Sequence, residues 1–163
     1  MEPNLLVRVS AVLYREASLL DERRWDEWLA MYLENCEFWL LAWDSEYELA
    51  LNPKTDLSLI YYDNRSNLEE RVVRIRTGLS AASRPLPRTW HLVSNVRLGE
   101  QTEDNLQVFA KWQTHAYRHE QTDTYYGTYE YWLRKQDGEF RIARKKIVLI
   151  NDVLCTALDI YNI

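Results

Sequence analysis

The chain has 163 residues, 47% of them apolar and 28% charged, and a formal net charge of −5; one ordinary domain of this size buries roughly 70% of the surface its unfolded form exposes. Its densest basic clusters, residues 71–76 and 141–146, alternate with apolar residues, so they form no continuous basic face and argue against a nucleic-acid partner. The first residues lack the charged-then-apolar pattern of a secretory leader, and no run approaches the roughly 18 apolar residues of a membrane span, so a soluble cytoplasmic protein is expected.

Leu5, Leu6, Val9, Val12, Leu13, Leu19 and Leu20 recur near helical spacing and predict an amphipathic helix over residues 4–20. Asp21 is the expected cap of a second, short helix in which Trp25, Trp28, Leu29 and Tyr32 share one face. Residues 36–43 and 57–62 are rich in aromatic and aliphatic side chains and read as strands, with Asn52, Pro53 and Lys54 in the loop between them. Ser66 followed by Glu69 has the pattern of a capping box, and Gly78 stands just past the apolar run, so a third helix is expected between them.

After Pro85 and Pro87 the character changes. Residues 88–99, 106–119, 124–135 and 139–150 read as long strands, and Asp137-Gly138 marks a tight hairpin between the last two. With no Gly- or Ser-rich linker and no internal repeat, residues 1–163 are expected to form one α+β domain. In the third of these strands Tyr125, Tyr129 and Tyr131 fall on one face and Tyr126 and Trp132 on the other, so both sheet faces look coverable. The helices cover one face. The other must meet water with its rings exposed, enclose a pocket, or be buried by another chain, and seven Trp with eleven Tyr are more aromatic surface than one core needs.

Catalytic signatures are sparse. His115 and His119, with Glu120 and Asp123 nearby, have the residue types of an iron site, but strand spacing separates the two rings by about 13 Å, and the preferred reading is a polar strand end. There is no phosphate-binding glycine loop, no Gly-x-Ser-x-Gly and no His-Glu-x-x-His. Cys36 and Cys155 are isolated from each other and from any histidine. The best acid–base candidates are Tyr61, Tyr62, Asp63 and His91 in a cone-shaped pocket; the preferred alternative has Asp63 opening a loop, Arg65 and Arg88 solvated or paired, and His91 satisfied within a strand.

The stretch from Ser58 through Leu, Ile, Tyr, Tyr, Asp and Asn to Arg65, the helix from Leu68 to Thr77, and Arg88 to Val96 are similar to the small (β) subunits of Rieske-type ring-hydroxylating dioxygenases. The similarity continues through Tyr126-Gly-Thr128, Lys145 to Asp152 and Asp159 to Ile163, and Trp25 to Leu29 with Phe38-Trp39 extend it to the amino-terminal part. The surroundings of Trp25, Ala42-Trp-Asp44 and Ile60 to Asp63 most resemble the benzoate, toluate and anthranilate 1,2-dioxygenase branch.

This resemblance implies a cone-shaped, curved antiparallel sheet packed by three helices, cystatin-like or nuclear transport factor two-like. It also implies an assembly with a large α subunit and other β subunits as α3β3. The Rieske [2Fe-2S] cluster and mononuclear Fe(II) would belong to α, fed by NADH through a reductase, and this chain would hold no cofactor and stabilise the assembly. Interface candidates in or beside the matched blocks are Tyr61, Asp63, Arg65, Arg84, Arg88, His91, Asn151, Asp152 and Tyr161. Trp90 and the run Lys111 to Arg118 depart from what related chains often carry. The competing readings are a free-standing isomerase or dehydratase using Asp63 and His91, and a small-ligand binding module.

Overall fold

The computed structural model describes residues 4–79, 83–152, 154 and 156–163. Three helices, α1 (Leu5–Asp21), α2 (Trp25–Ala30) and α3 (Arg65–Thr77), pack against a six-stranded sheet. Its strands are β1 (Tyr32–Leu41), β2 (Ser58–Tyr62), β3 (Arg88–Gln101), β4 (Asn105–Arg118), β5 (Gln121–Gln136) and β6 (Glu139–Leu149), in the spatial order β2-β1-β6-β5-β4-β3. A short 3-10 helix, Ile160–Asn162, ends the chain. The expected α+β class and the three helices stand, but the sheet is mixed, because β1 lies parallel to β6 while every other pair is antiparallel.

The apolar stripe of α1 buries Val9, Leu13, Leu19 and Leu20 against the sheet. Asp21 does not cap α2: it is the last residue of α1, and Arg24 precedes α2 without a side-chain cap. Tyr32 opens β1 instead of riding on α2, where its backbone pairs with Ile142 of β6. At α3 the capping side chain is Asn64, whose oxygen accepts the Asn67 N–H at 3.2 Å, so the Ser66–Glu69 pair starts two residues too late. Gly78 ends the helix in the left-handed conformation, as its position suggested.

Two turns set the register of the long strands. Asp137 and Gly138 both have positive φ, 52° and 82°, as a two-residue hairpin matched to strand twist requires. His119 and Glu120 do the same at 52° and 62°, with Arg118 paired to Gln121. The expected loop over residues 120–123 is therefore a turn of two residues, and β5 begins at Gln121. Register shifts in β3 between Ser94 and Arg97 and between Leu98 and Gln101 bend that strand across β4. No helix among the described residues is long and apolar enough to cross a membrane.

Candidate protein interface and the interior of the cone

The inner face of the sheet is filled by side chains. Trp28, Tyr32 and Phe38 meet edge to face or tilted, with centroids 5.0 to 6.4 Å apart, and Trp112 stacks on Tyr129 at 5.2 Å. Within this packing lies a buried ion pair. Lys145 on β6 donates to Glu16 of α1 at 3.0 Å, and both side chains are almost fully buried. Glu16 also accepts from Tyr131 Oη at 2.6 Å, from Trp28 Nε1 at 3.3 Å and from Tyr32 Oη, while the Lys145 ammonium lies 4.2 Å from the centre of the Tyr129 ring.

A buried pair is tolerated when extra hydrogen bonds satisfy the remaining polar atoms, and four donors on one carboxylate meet that condition. Burial alone would raise the Glu16 carboxyl, but the charge of Lys145 and the hydrogen bonds from Tyr131, Tyr32 and Lys145 outweigh it and hold the group below its ordinary range. Burial first, then the Glu16 charge, pushes Tyr32 and Tyr131 well above the usual tyrosine range, so both stay hydrogen donors.

A second polar contact fastens α1 to β3. Asp21 accepts from the His91 backbone N–H at 2.9 Å, from Thr89 Oγ1 at 2.9 Å and from His91 Nδ1 at 2.6 Å. Burial raises the Asp21 carboxyl, but the hydrogen bonds and charge of His91 prevail and lower it. The acid–base pair considered from sequence, Asp63 with His91, is not assembled: Asp63 is exposed in the loop before α3 and accepts from Asn64 at 2.8 Å.

The outer face is different in kind. On the β1–β2 side it carries the ion pair Arg144–Glu37 at 2.6 Å and a Trp39–Tyr61 edge contact at 6.2 Å. Toward β3 it becomes aromatic and exposed. Leu92, Gln113 and Tyr126 lie opposite one another on β3, β4 and β5, and Trp90, His115 and Thr124 form the next row. Trp90 is 60% exposed, Ile150 49%, Tyr126 44%, Leu92 41% and Tyr117 39%. Large apolar side chains grouped this way make the patch the candidate for contact with another chain.

The nine residues proposed from sequence fall into separate places. Tyr61 lies on β2 with its hydroxyl 3.3 Å from Glu37, and Arg65 reaches the Tyr32 carbonyl at 3.1 Å and Glu69 at 3.0 Å. Arg84 is exposed and donates to the Thr77 carbonyl at the end of α3. Arg88 lies over the Tyr117 ring at 4.7 Å, beside the aromatic patch. Asn151 borders that patch too, donating to the Thr124 carbonyl at 2.7 Å and accepting from the Tyr126 N–H at 3.1 Å; Asp152 beside it is exposed. His91 and Tyr161 are buried, Tyr161 with its hydroxyl 3.2 Å from Ser83 Oγ, so they act on any interface through the residues they support. Leu92, Tyr117, Tyr126 and Ile150, which are not among those nine, share the exposed patch with Trp90; strand alternation with Trp90 was the available signal.

The histidine pair does not form a metal site. His115 lies on the outer face under Trp90, with its nitrogens 2.9 Å from Gln113 and 3.0 Å from Thr124, while His119 is in the turn. Among the described residues no three His, Cys, Asp or Glu side chains converge as a metal would require. Cys36 is buried, and burial raises its thiol to about 11; Cys155 lies outside the described residues.

Residues 15–156 match the family model described as the ring hydroxylating beta subunit. The chain is 42% identical over 155 residues to the 2-halobenzoate 1,2-dioxygenase small subunit of Burkholderia cepacia, covering 95% of this chain and 94% of that protein. It is 37% identical to the anthranilate 1,2-dioxygenase small subunit of Acinetobacter baylyi over the whole of both chains. The crystal structure of the benzoate 1,2-dioxygenase beta subunit from Burkholderia mallei superposes with a TM-score of 0.83 at 38% identity, covering all of both chains.

Proposed function

The chain belongs to the ring-hydroxylating dioxygenase β-subunit family, and from that premise we propose that it is the non-catalytic structural subunit of a benzoate- or anthranilate-type terminal oxygenase. Residues 1–163 act as one domain that stabilises an α3β3 assembly in the cytoplasm. The α subunits hold the Rieske cluster and the mononuclear iron, which supply the oxygen chemistry when electrons arrive from NADH through a reductase. The names of relatives matched over nearly their full lengths support this branch.

The residues of this chain do not suit the iron–sulfur cluster. Cys36 is flanked by Asn35 and Glu37, lacks the Cys-x-His spacing, and sits in the core with a thiol that resists ionisation. No chemical step is therefore assigned to this chain. What it contributes is geometry. An inner face locked by Glu16, Lys145 and three tyrosines fixes the curvature of the sheet, and the outer face presents Trp90, Leu92, Tyr117, Tyr126 and Ile150. Displacements of about 1 Å matter when electron-transfer partners must be held in place.

The single observation that carries this reading is that Trp90, Tyr117 and Tyr126 are exposed together on the outer face of the sheet, apart from the aromatic rings packed in the interior. Iron analysis tests it. Purified alone, the chain is expected to bind no stoichiometric iron, and in the co-expressed complex iron and ring dihydroxylation are expected to scale with the large subunit. Iron bound by the lone chain, or catalysis by it, would contradict the proposal.

A further inference from the structure

The strand register places charges as well as rings on the outer face of the sheet. One row across all six strands runs Arg97, Phe109, Glu130, Lys146, Trp39 and Tyr61, each opposite the next. Arg88 lies opposite Tyr117, and Lys111 lies opposite Ser94 and Thr128 on the same face as Gln113 and His115. Two carboxylates of this face are already matched: Glu37 pairs with Arg144 at 2.6 Å, and Glu130 meets Lys146 at 3.8 Å and Gln107 at 2.8 Å. Arg88, Arg97 and Lys111 are exposed and, among the described residues, pair with no carboxylate. Arg88 and Arg97 rest instead on the Tyr117 and Phe109 rings, 4.7 and 4.2 Å from their centres.

Resting on the structural-subunit role above, we propose that the outer face docks on an acidic surface of the large subunit, where Arg88, Arg97 and Lys111 each meet a carboxylate. The whole chain has a formal charge of −5, so three unmatched cations on one face run against its overall sign. They flank the apolar patch. Arg88 is two positions from Trp90 on β3, and Lys111 lines the same hollow of about 430 Å³ as Leu92, Tyr126 and Ile150. A guanidinium laid flat on a ring keeps its N–H edge free for a carboxylate, and it has less side-chain freedom left to lose on binding. Cations at the margin of an apolar contact attract and orient a partner of opposite sign.

Nucleic acid fits this face less well. Its closely spaced phosphates call for a dense basic track, whereas these three cations are spread along β3 and β4 between apolar residues of an acidic chain. A second copy of the chain meeting this face with its own would set the three cations against their like. The cations come from two strands and are separated in sequence, so no run of residues announces them.

The affinity of the full chain for its large subunit, measured from about 50 to about 500 mM NaCl, tests the acidic surface. The wild type is expected to weaken at least about tenfold across that range. Arg88→Gln, Arg97→Gln and Lys111→Gln combined are expected to bind at least about tenfold more weakly at low salt, with a flatter salt dependence and the circular dichroism of the wild type. If the triple variant does not fold, Lys111→Gln alone is expected to bind about threefold more weakly at low salt. A complex indifferent to salt, or a folded variant that binds as the wild type does, would overturn the acidic surface and leave the structural-subunit role intact. No complex at any salt would overturn both. Tighter binding of the chain to single-stranded DNA, or to a second copy of itself, than to the large subunit would also overturn the acidic surface.

Discussion

Lys145 and Glu16 show how a single residue becomes structurally expensive to change. Lys145→Met leaves a buried carboxylate without its counter-charge, which costs about 3–5 kcal/mol and should appear as a lowered urea midpoint with an unchanged slope. Glu16→Leu added to it removes the stranded charge but leaves Tyr32, Tyr131 and Trp28 without an acceptor. The double variant should therefore recover only part of the loss, and a double-mutant cycle should give a coupling of about 2–3 kcal/mol. The pair was legible in principle. Glu16 sits on the α1 stripe with Val9, Leu13 and Leu20, and Lys145 alternates with Ile147 and Leu149 on the inner face of β6. A charge on each of two apolar faces is the signal of a buried pair. The Asp21–His91 contact was not legible, because it joins residues 70 positions apart through the packing of α1 on β3.

These carboxylates also set the response to acid. Glu16 and Asp21 hold protons less tightly in the folded chain than in the unfolded one. The stability they contribute is complete above the unfolded carboxylate range, about pH 4, and is lost as pH falls through their lowered folded values. Asp21→Asn should flatten that acid limb, as followed by thermal unfolding between neutral and strongly acidic pH. An acid limb equally steep in the variant would remove Asp21 from the account.

At the scale of elements, two glycines separate strain from collision. Gly138 holds φ at +82° with nothing within 4 Å of an added Cβ, so Gly138→Ala meets only backbone strain, about 1–2 kcal/mol. At Gly127 an added Cβ would lie 1.8 Å from the Val148 carbonyl oxygen, forcing β5 and β6 apart. Gly127→Ala should cost more than about 3 kcal/mol, and chemical denaturation of the two variants side by side checks the order. The Asp137-Gly138 hairpin was readable because a two-residue turn has a strong local signature. The His119-Glu120 turn was not, since neither residue is Gly or Asn and only the strand pairing imposes their positive φ. The parallel β1–β6 pair was also hidden, because alternation tells which face a residue takes and not which strand lies beside it.

For the whole molecule the exposed patch makes the sharpest statement. Trp90 and Tyr126 contribute little to folding where they stand, so Trp90→Asp with Tyr126→Asp should leave the circular dichroism and melting of the isolated chain nearly unchanged while weakening association with the large subunit at least about tenfold, or roughly 1.4 kcal/mol. The existence of such a surface was legible from the surplus of Trp and Tyr. Its location was only partly so: Trp90, Arg88 and Asn151 had been singled out, whereas the remaining proposed residues lie on β2, around α3, or in the core. Sequence blocks shared with a family mark whatever that family keeps, packing included, and burial is what separates Tyr161 from Arg88.

The most direct test of the central claim is the native mass of the chain co-expressed with the large subunit encoded beside it, with the wild type and the Trp90→Asp, Tyr126→Asp variant measured together. The account predicts a complex of equal subunit numbers with the mass of α3β3 for the wild type, and separate subunits for the variant. A wild-type chain that never joins the large subunit, or a variant that assembles as well as the wild type, would contradict it.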